Sequence, residues 1–454
     1  MYLCAMKSLI LPLCCVGALL AQAQPVARPV RLSEALQLAL SNSAQVKKTR
    51  LDRQALELRF KESRSAFAPQ INDDLGLDYL PVLPTNFLPA NLFGGPDGGY
   101  VAATLGQPWQ LTGTIRVDQP IYNEAARRMA PAATVSRGIY DLLGNRAEEE
   151  VLFSTATVFY QTLQTEQLLR AVNANLDKLD ALERMAKLQL ANDYAIPTDV
   201  KRIRVARANL EAQRHNLLDG IQALHQTLQF LCGINYDEPL DPVEEMANPA
   251  ADSSRWKTLA LELESTTEYR LLQRQLELNR IQARSLRGEL APSLSAYAIT
   301  AFQAQRSDAN FFETDRRWYG LGAIGFKLKI PVFDGFLRRR RVAQMDIESQ
   351  KIEEDRRQLS QANTLEFQQA RNQFEGAVQM LRTQEDNVAL AHDITDNLLL
   401  QYKEGVASLT DLLNAQTALT EAETHYWQQV FSYKLSVLKL LKSAGKLRLV
   451  MGGE

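Results

Sequence analysis

Cysteine is scarce where it would matter. The chain of 454 residues has four, and Cys4, Cys14 and Cys15 all lie in the N-terminal segment, leaving Cys232 alone in the rest. A single thiol supports no internal disulfide, no CxxC redox pair and no cysteine-cluster zinc site, so Cys232 reads as a buried, inert residue. Histidine is equally sparse. His215, His225, His392 and His425 fall within helical heptads at no ligand spacing, which suits surface or seam positions. An excess of one charge is also missing: 51 basic residues against 53 acidic ones give a formal charge of −2 and no basic field for nucleic acid. Arg338 to Arg341 is a local exception, and four arginines directly after a strand read as an interfacial or solvated helix start. There is no P-loop, HExxH, GxSxG, or GxGxxG at a strand-to-helix turn, so neither enzymatic activity nor a cofactor is expected. Beyond residue 24 no apolar run approaches about 18 residues, so any insertion into a membrane must use strands.

What is present begins with an export signal. Lys7 precedes an apolar run from Leu9 to Leu20 that ends in Ala21-Gln22-Ala23, a small-residue cleavage pattern. The run is too short for the roughly 20 residues of a spanning helix. Residues 1–23 are therefore expected to be a cleaved signal peptide, with the mature chain starting near Gln24. Leu13 before Cys14 argues against lipid attachment, and Met6-Lys7 fits as an alternative start.

The remainder is written twice. Leu36, Leu40, Val46 and Pro69 recur with their spacing intact as Leu259, Leu263, Tyr269 and Pro292. Gln119 to Asn123 answers Ile330 to Asp334, and Ala195, Asp199, Ala206, Leu228 and Gly233 answer Ala407, Asp411, Ala418, Leu440 and Gly445. This predicts a first repeat over 24–240, a linker over 241–255, a second repeat over 256–445 and a tail over 446–454. Each repeat reads as helix, strand hairpin, long helix, tight turn, helix, with hairpins at about 70–121 and 292–332.

The hairpins are marked by alternation. Leu111, Gly113, Ile115 and Val117 share one face, and Gln110, Thr112, Thr114, Arg116 and Asp118 the other. Leu75, Leu77 and Tyr79, and Ile324, Phe326, Leu328 and Ile330, repeat the pattern, while 294–302 alternate less clearly. Tyr79, Tyr100, Trp109, Trp318 and Tyr319 lie near strand ends, where an aromatic girdle would sit. Four strands cannot close a barrel. Single-chain barrels begin at about eight strands, so closure requires sharing, with two protomers giving eight strands and three giving twelve.

Helical periodicity runs unbroken from about Pro131 to Asn192 and from about Gly335 to Glu404, and such lengths imply coiled-coil packing. Ile203, Leu210, Leu217, Leu224 and Leu231 recur every seven residues, as do Leu412, Leu419, Tyr426, Tyr433 and Leu440. A periplasmic coiled-coil adaptor or scaffold without a pore would share these seams but needs neither hairpin.

Several segments resemble the TolC-like outer-membrane efflux family over essentially all the mature chain: Leu32-Ser33-Glu34-Ala35-Leu36, Ser65 to Pro69, Pro331-Val332-Phe333-Asp334-Gly335 and, most specifically, Gly405 to Gln416. The resemblance implies a mixed fold, with long coiled-coil-like helices forming an α-helical barrel. Four strands per protomer would contribute to a shared twelve-stranded β-barrel in a homotrimer, set in outer-membrane lipid with a large periplasmic portion. It implies a passive conduit working with a periplasmic adaptor (membrane fusion) protein and an inner-membrane pump, for efflux or type I secretion. The loops at about 81–109 and 303–318 would face outside. The turns Ala195, Ile196 and Pro197 and Gly405, Val406, Ala407, Ser408 and Leu409 would meet the adaptor. The family's polar gate carries over to Tyr402, Asp411, Thr198 and Asp199. Ala407 stands where some members have a gate arginine, and Asn414 where they have a second aspartate ring, which implies a less charged gate. Asp199 and Asp411 also suit a simpler role, offsetting the macrodipole at helix N-termini.

Overall fold

The structure is a computed structural model that describes residues 28–193, 196–244, 254–313 and 317–452. The expected signal segment and Ala195 lie outside the described residues. The chain divides into two compact units, each taken here by itself.

One unit contains residues 43–153, 250–378 and 436–454 and holds a four-stranded antiparallel sheet. Its strands, in chain order, are β2 (Gln70–Tyr79), β5 (Trp109–Tyr122), β7 (Ser293–Arg306) and β8 (Tyr319–Lys329), and their spatial order is β2-β5-β7-β8. The alternation of Gln110 to Asp118 understates β5, which continues through Pro120. Proline gives no ladder N–H, and the pairing with β7 shifts register between Pro120 and Tyr122, which lets the strand pass the imino acid. The weakly alternating segment at 294–302 is a full strand because both its neighbours pair with it continuously. The expected outer loop at 81–109 is not all loop. It contains its own hairpin, β3 (Thr85–Pro89) with β4 (Tyr100–Thr104), in which Phe87 and Tyr100 meet edge to face at 5.3 Å. Gly and Pro around two short strands hid that pairing.

Helices α2 (Ala44–Ser65), α3 (Glu124–Met129) and α6 (Thr267–Gly288) belong to the same unit. Asn123 caps α3, its side chain accepting from the Ala126 amide at 3.2 Å. Helix α6 lies so close to α3 that a Cβ at Gly288 would press on the Ala125 backbone, and the Ser285 hydroxyl donates to the Ala125 carbonyl.

The other unit comprises residues 28–42, 154–244 and 379–435 among those described. Strand β1 (Arg28–Val30) pairs in parallel with β6 (Leu240–Pro242), and α1 (Leu32–Asn42) packs its Ala35, Leu36 and Ala39 face inward. Helix α4 (Ala132–Ala191) and helix α7 (Leu337–Lys403) are the two long helices, 60 and 67 residues. Both enter this unit and are followed by α5 (Pro197–Cys232) and α8 (Leu409–Ser443). The seam of α8 is covered, with Leu412, Leu419, Tyr433 and Leu440 buried, whereas Leu210, Leu217 and Leu224 of α5 are only half-buried. Along α7 the buried residues Phe367, Ala370, Phe374, Ala377 and Leu381 keep alternating three- and four-residue steps, the signature of a coiled-coil seam.

Helix α5 ends at Gly233, whose φ of 62° and contact with Asn42 leave no place for a side chain. Cys232 beside it is fully buried, its Sγ 3.6 Å from the Ala35 carbonyl, and burial pushes its thiol up to about 11. Maleimide is expected to leave Cys232 untouched at neutral pH in the folded protein. After denaturation, a mature chain lacking residues 1–23 should titrate one thiol. Four thiols would show that the N-terminal segment is retained.

Candidate functional site

The turns that join the long helices to their return helices carry the residues singled out for a gate. All lie in the second unit. Asp193, with φ of 61°, ends α4, and Pro197 occupies the first turn of α5, where its missing N–H costs nothing. On the other side Gly405, at φ 77°, stops α7, and Ser408 starts α8. The Asp411 amide donates to Ser408 Oγ at 3.1 Å, and that hydroxyl donates to Asp411 Oδ2 at 2.7 Å. This reciprocal cap fixes the turn and commits one carboxylate oxygen within the protomer.

Tyr402 is buried against Leu179, Leu182, Ala186, Val200, Ile203, Leu409 and Leu412, a core drawn from four helices. Its hydroxyl donates to Gln189 Oε1 at 3.0 Å. Burial first, and the nearby Asp199 carboxylate second, raise its phenol above the ordinary tyrosine range. The structure thus brings Tyr402 and Asp199 within electrostatic reach of one another, while Asp411 is engaged by Ser408. Thr198, Ile196, Pro197, Gly405, Val406 and Ser408 are exposed, Ala407 is half-buried and Leu409 is buried in the core.

Two polar features near these turns escaped sequence reasoning. Arg202 Nη1 donates to Thr410 Oγ1 at 2.8 Å, tying the starts of α5 and α8 together and placing a guanidinium one residue from Asp411. Only three-dimensional proximity reveals it, since Arg202 sits in a run of alternating basic residues. Glu183 on α4 takes Lys187 and Arg204, each at 2.8 Å, and these cations pull its carboxyl down to about 2. Because the folded value is depressed, this contribution to stability is complete above the unfolded value near 4.5 and is lost as pH falls toward 2. Acid titration followed by helical circular dichroism should show Glu183→Gln reducing the pH dependence in that window; an unchanged profile would show that the cluster does not couple α4 to α5.

Deeper along the helices, buried Asn175 donates to Thr420 Oγ1 and Glu423 Oε2, at 3.1 and 3.0 Å, and accepts from Gln416 Nε2 at 2.9 Å. A satisfied buried amide of this kind fixes helix register.

The sheet of the first unit is two-faced. On one face its register sets Ile71, Leu75, Leu77 and Tyr79 opposite Val117, Gly113, Leu111 and Trp109, sets Val117, Gly113 and Leu111 opposite Ala298, Phe302 and Ala304, and sets Ala298, Ala296 and Leu294 opposite Ile324, Phe326 and Leu328, with Ile115 on the same face opposite Asp73. Leu75 is 73% exposed and Ile324 88%. Asp73 and, at one end, Arg306 are the charged residues on this face. The opposite face carries Gln70, Asn72, Asp74, Asp78, Gln110, Thr112, Thr114, Arg116, Asp118, Gln303, Gln305, Lys327 and Lys329, interrupted by Ile299 and Leu321. Tyr79 and Trp109 meet with their rings tilted by 41° and 4.7 Å apart, at the end where β8 begins with Tyr319. Among the described residues β2 and β8 are both free edges. No described helix is long and apolar enough to cross a membrane.

Residues 264–446 match the family model described as outer membrane efflux protein. The outer membrane protein TolC of Escherichia coli is 22% identical over 448 residues, covering 95% of this chain and 85% of TolC. Among solved structures, the outer membrane protein VceC of Vibrio cholerae superposes with a TM-score of 0.68 at 16% identity, over 91% of this chain and 96% of its own. The CmeC outer membrane channel of Campylobacter jejuni does so with a TM-score of 0.67 at 13% identity, over 92% and 86%. These likenesses establish the fold, one of long helices and a short antiparallel sheet.

Proposed function

We propose that this chain, a TolC-like outer membrane efflux protein, is the outer-membrane duct of a tripartite efflux or type I secretion system. Three copies form a passive conduit, with a periplasmic adaptor and an inner-membrane pump as partners. The observation that carries this reading is the sheet. An antiparallel sheet with one exposed apolar face and two long free edges is unstable in water, since the apolar face aggregates and unpaired edge groups invite other strands. In a bilayer the apolar face meets lipid, and joining β8 of one protomer to β2 of the next removes both edges. The edges suit one another electrically. Strand β2 carries Asp73, Asp74 and Asp78 without a cation, and β8 carries Lys327 and Lys329 without an acid.

Three such sheets make a twelve-stranded barrel whose polar faces line the lumen. Outward-facing apolar residues of the helices, such as Leu188, Val205, Leu390 and Leu400, supply contacts between copies. On this reading the chain is two structural repeats, the turns at 195–197 and 405–409 form the adaptor-facing tip, and Tyr402, Asp411, Thr198 and Asp199 form its gate. Single-channel conductance of the detergent-purified oligomer in a planar bilayer at neutral pH tests it. A small, cation-preferring conductance is expected. Protein that stays soluble and never inserts would instead favour a periplasmic coiled-coil adaptor or scaffold.

A further inference from the structure

The arginine run after β8 has a counterpart after β5, and the two junctions handle their charges differently. Aligned on Pro120 and Pro331, Arg127 and Arg128 stand opposite Arg338 and Arg339, and Glu124 stands opposite Gly335. At the first junction Glu124 is 5% exposed and accepts from Arg127 at 2.7 and 2.8 Å, from Arg128 at 2.6 Å and from the Tyr122 hydroxyl at 2.9 Å. The two guanidinium groups hold its carboxyl far below the usual carboxylate range. Both arginines there pair with one buried acid, which offsets half of their charge.

The second junction has glycine in place of that acid. Asp334 accepts from the amide and the guanidinium of Arg338, both at 3.1 Å, and Glu289 lies 3.5 Å from the same guanidinium. Arg339, Arg340 and Arg341 are exposed, and no carboxylate among the described residues pairs with them. In place of the acid the junction presents hydrocarbon. Val332 is 91% exposed, Phe333 75% and Phe336 53%, and the two rings meet edge to face at 5.5 Å. Phe336 has φ of 65°, directly after Gly335 at 64°. Left-handed backbone is costly for a residue with a bulky side chain, so the turn holds that ring outward against its local preference.

We propose that this second junction is a lipid anchor, in which Val332, Phe333 and Phe336 seat in the membrane interface while Arg339, Arg340 and Arg341 bind the phosphates of anionic phospholipids. It rests on the reading that the sheet crosses a membrane. The apolar residues of β8, ending at Leu328, are followed by Ile330 and then by Val332 and Phe333, so the hydrocarbon of the sheet leads into the junction. Aromatic rings favour the headgroup level, and arginine forks fit phosphate bidentately.

The full-length oligomer would be reconstituted in vesicles of phosphatidylcholine with phosphatidylglycerol, and the lipids it retains counted by native mass spectrometry. Each uncompensated arginine at such a surface is worth roughly a fivefold preference for anionic lipid. Wild type should retain phosphatidylglycerol preferentially, and R339Q/R340Q/R341Q should lose that enrichment, by up to about a hundredfold. F333S, which keeps the charges, should weaken retention of both lipids. Conductance should be unchanged in the arginine variant. Equal phosphatidylglycerol enrichment in wild type and the arginine variant would overturn the anchor while leaving the channel standing. An arginine variant whose oligomer falls apart equally in pure phosphatidylcholine would also overturn it, assigning the arginines to contact between copies. Failure of wild type to insert into either bilayer would overturn the channel reading, and the anchor with it.

Discussion

If the chain works as the proposed trimeric duct, Gly113→Val is expected to abolish its oligomer and its conductance. Gly113 sits mid-strand on the apolar face, opposite Leu75 of β2 and Phe302 of β7. The Phe302 ring lies directly over it, so that even a Cβ would overlap ring carbons. Swinging the ring away costs its edge-to-face contact with Trp318 at 6.2 Å. Overpacking of this kind costs about 1–3 kcal/mol per site, and a symmetric trimer would carry it three times. Phe302→Ala on the Gly113→Val background removes the ring and should restore the oligomer on semi-native gels, whereas Phe302→Ala alone should only loosen it. An intact oligomer in Gly113→Val would show that this strand pair has slack and that ring-over-glycine packing does not set barrel closure. Tyr297 covers Gly325 in the same way on the polar face, with Arg116 5.7 Å above its ring. Glycine under an aromatic on each face is a recognised device for holding register in a curved sheet.

That pairing marks the limit of what periodicity could reveal. In Gln110 to Asp118 the alternation identifies a strand and its two faces, because side-chain period is a local property. Which glycine lies under which ring depends on register across β5 and β7, whose residues are about 180 positions apart in the chain, and a one-residue slip would exchange the faces. The same distinction holds among the helices. The heptads of α8 are visible in sequence and, Tyr426 apart, buried in the structure, but the equally regular heptads of α5 are buried at Ile203 and only half-buried at Leu210, Leu217, Leu224 and Leu231, since a heptad specifies a seam without saying which chain fills it. Arg202 and the β3–β4 hairpin were missed for opposite reasons. Arg202 acts through a residue on another helix, and the hairpin is too short and too rich in proline and glycine at its flanks to show a period.

The gate assignment makes the second large prediction, and the capping geometry supplies its control. Asp411 can act in two ways: as the acidic partner of Ser408 at the start of α8, or as one of three symmetry-related carboxylates that set the preference of a pore. Asp411→Asn keeps an oxygen that can accept from Ser408 and removes only the charge. Ser408→Ala removes the cap, at about 0.5–2 kcal/mol of helix stability, and keeps the charge. If the carboxylates face a common axis, reversal potentials should show cation preference falling several-fold in Asp411→Asn and little change in Ser408→Ala. Thermal melting should rank the two variants in the opposite order. The neighbouring guanidinium gives the sign a second check. Arg202 bonds Thr410 beside Asp411, so Arg202→Gln should raise cation preference by removing a positive charge from the same place. Recordings at low ionic strength are required, because at about 0.1 M salt charges more than about 10 Å apart are largely screened. If Asp411→Asn and Arg202→Gln both leave selectivity unchanged while Ser408→Ala lowers the melting temperature, Asp411 is a helix cap, and the acids left to set selectivity include Asp199 beside Tyr402 and Asp74, Asp78 and Asp118 on the polar face of the sheet.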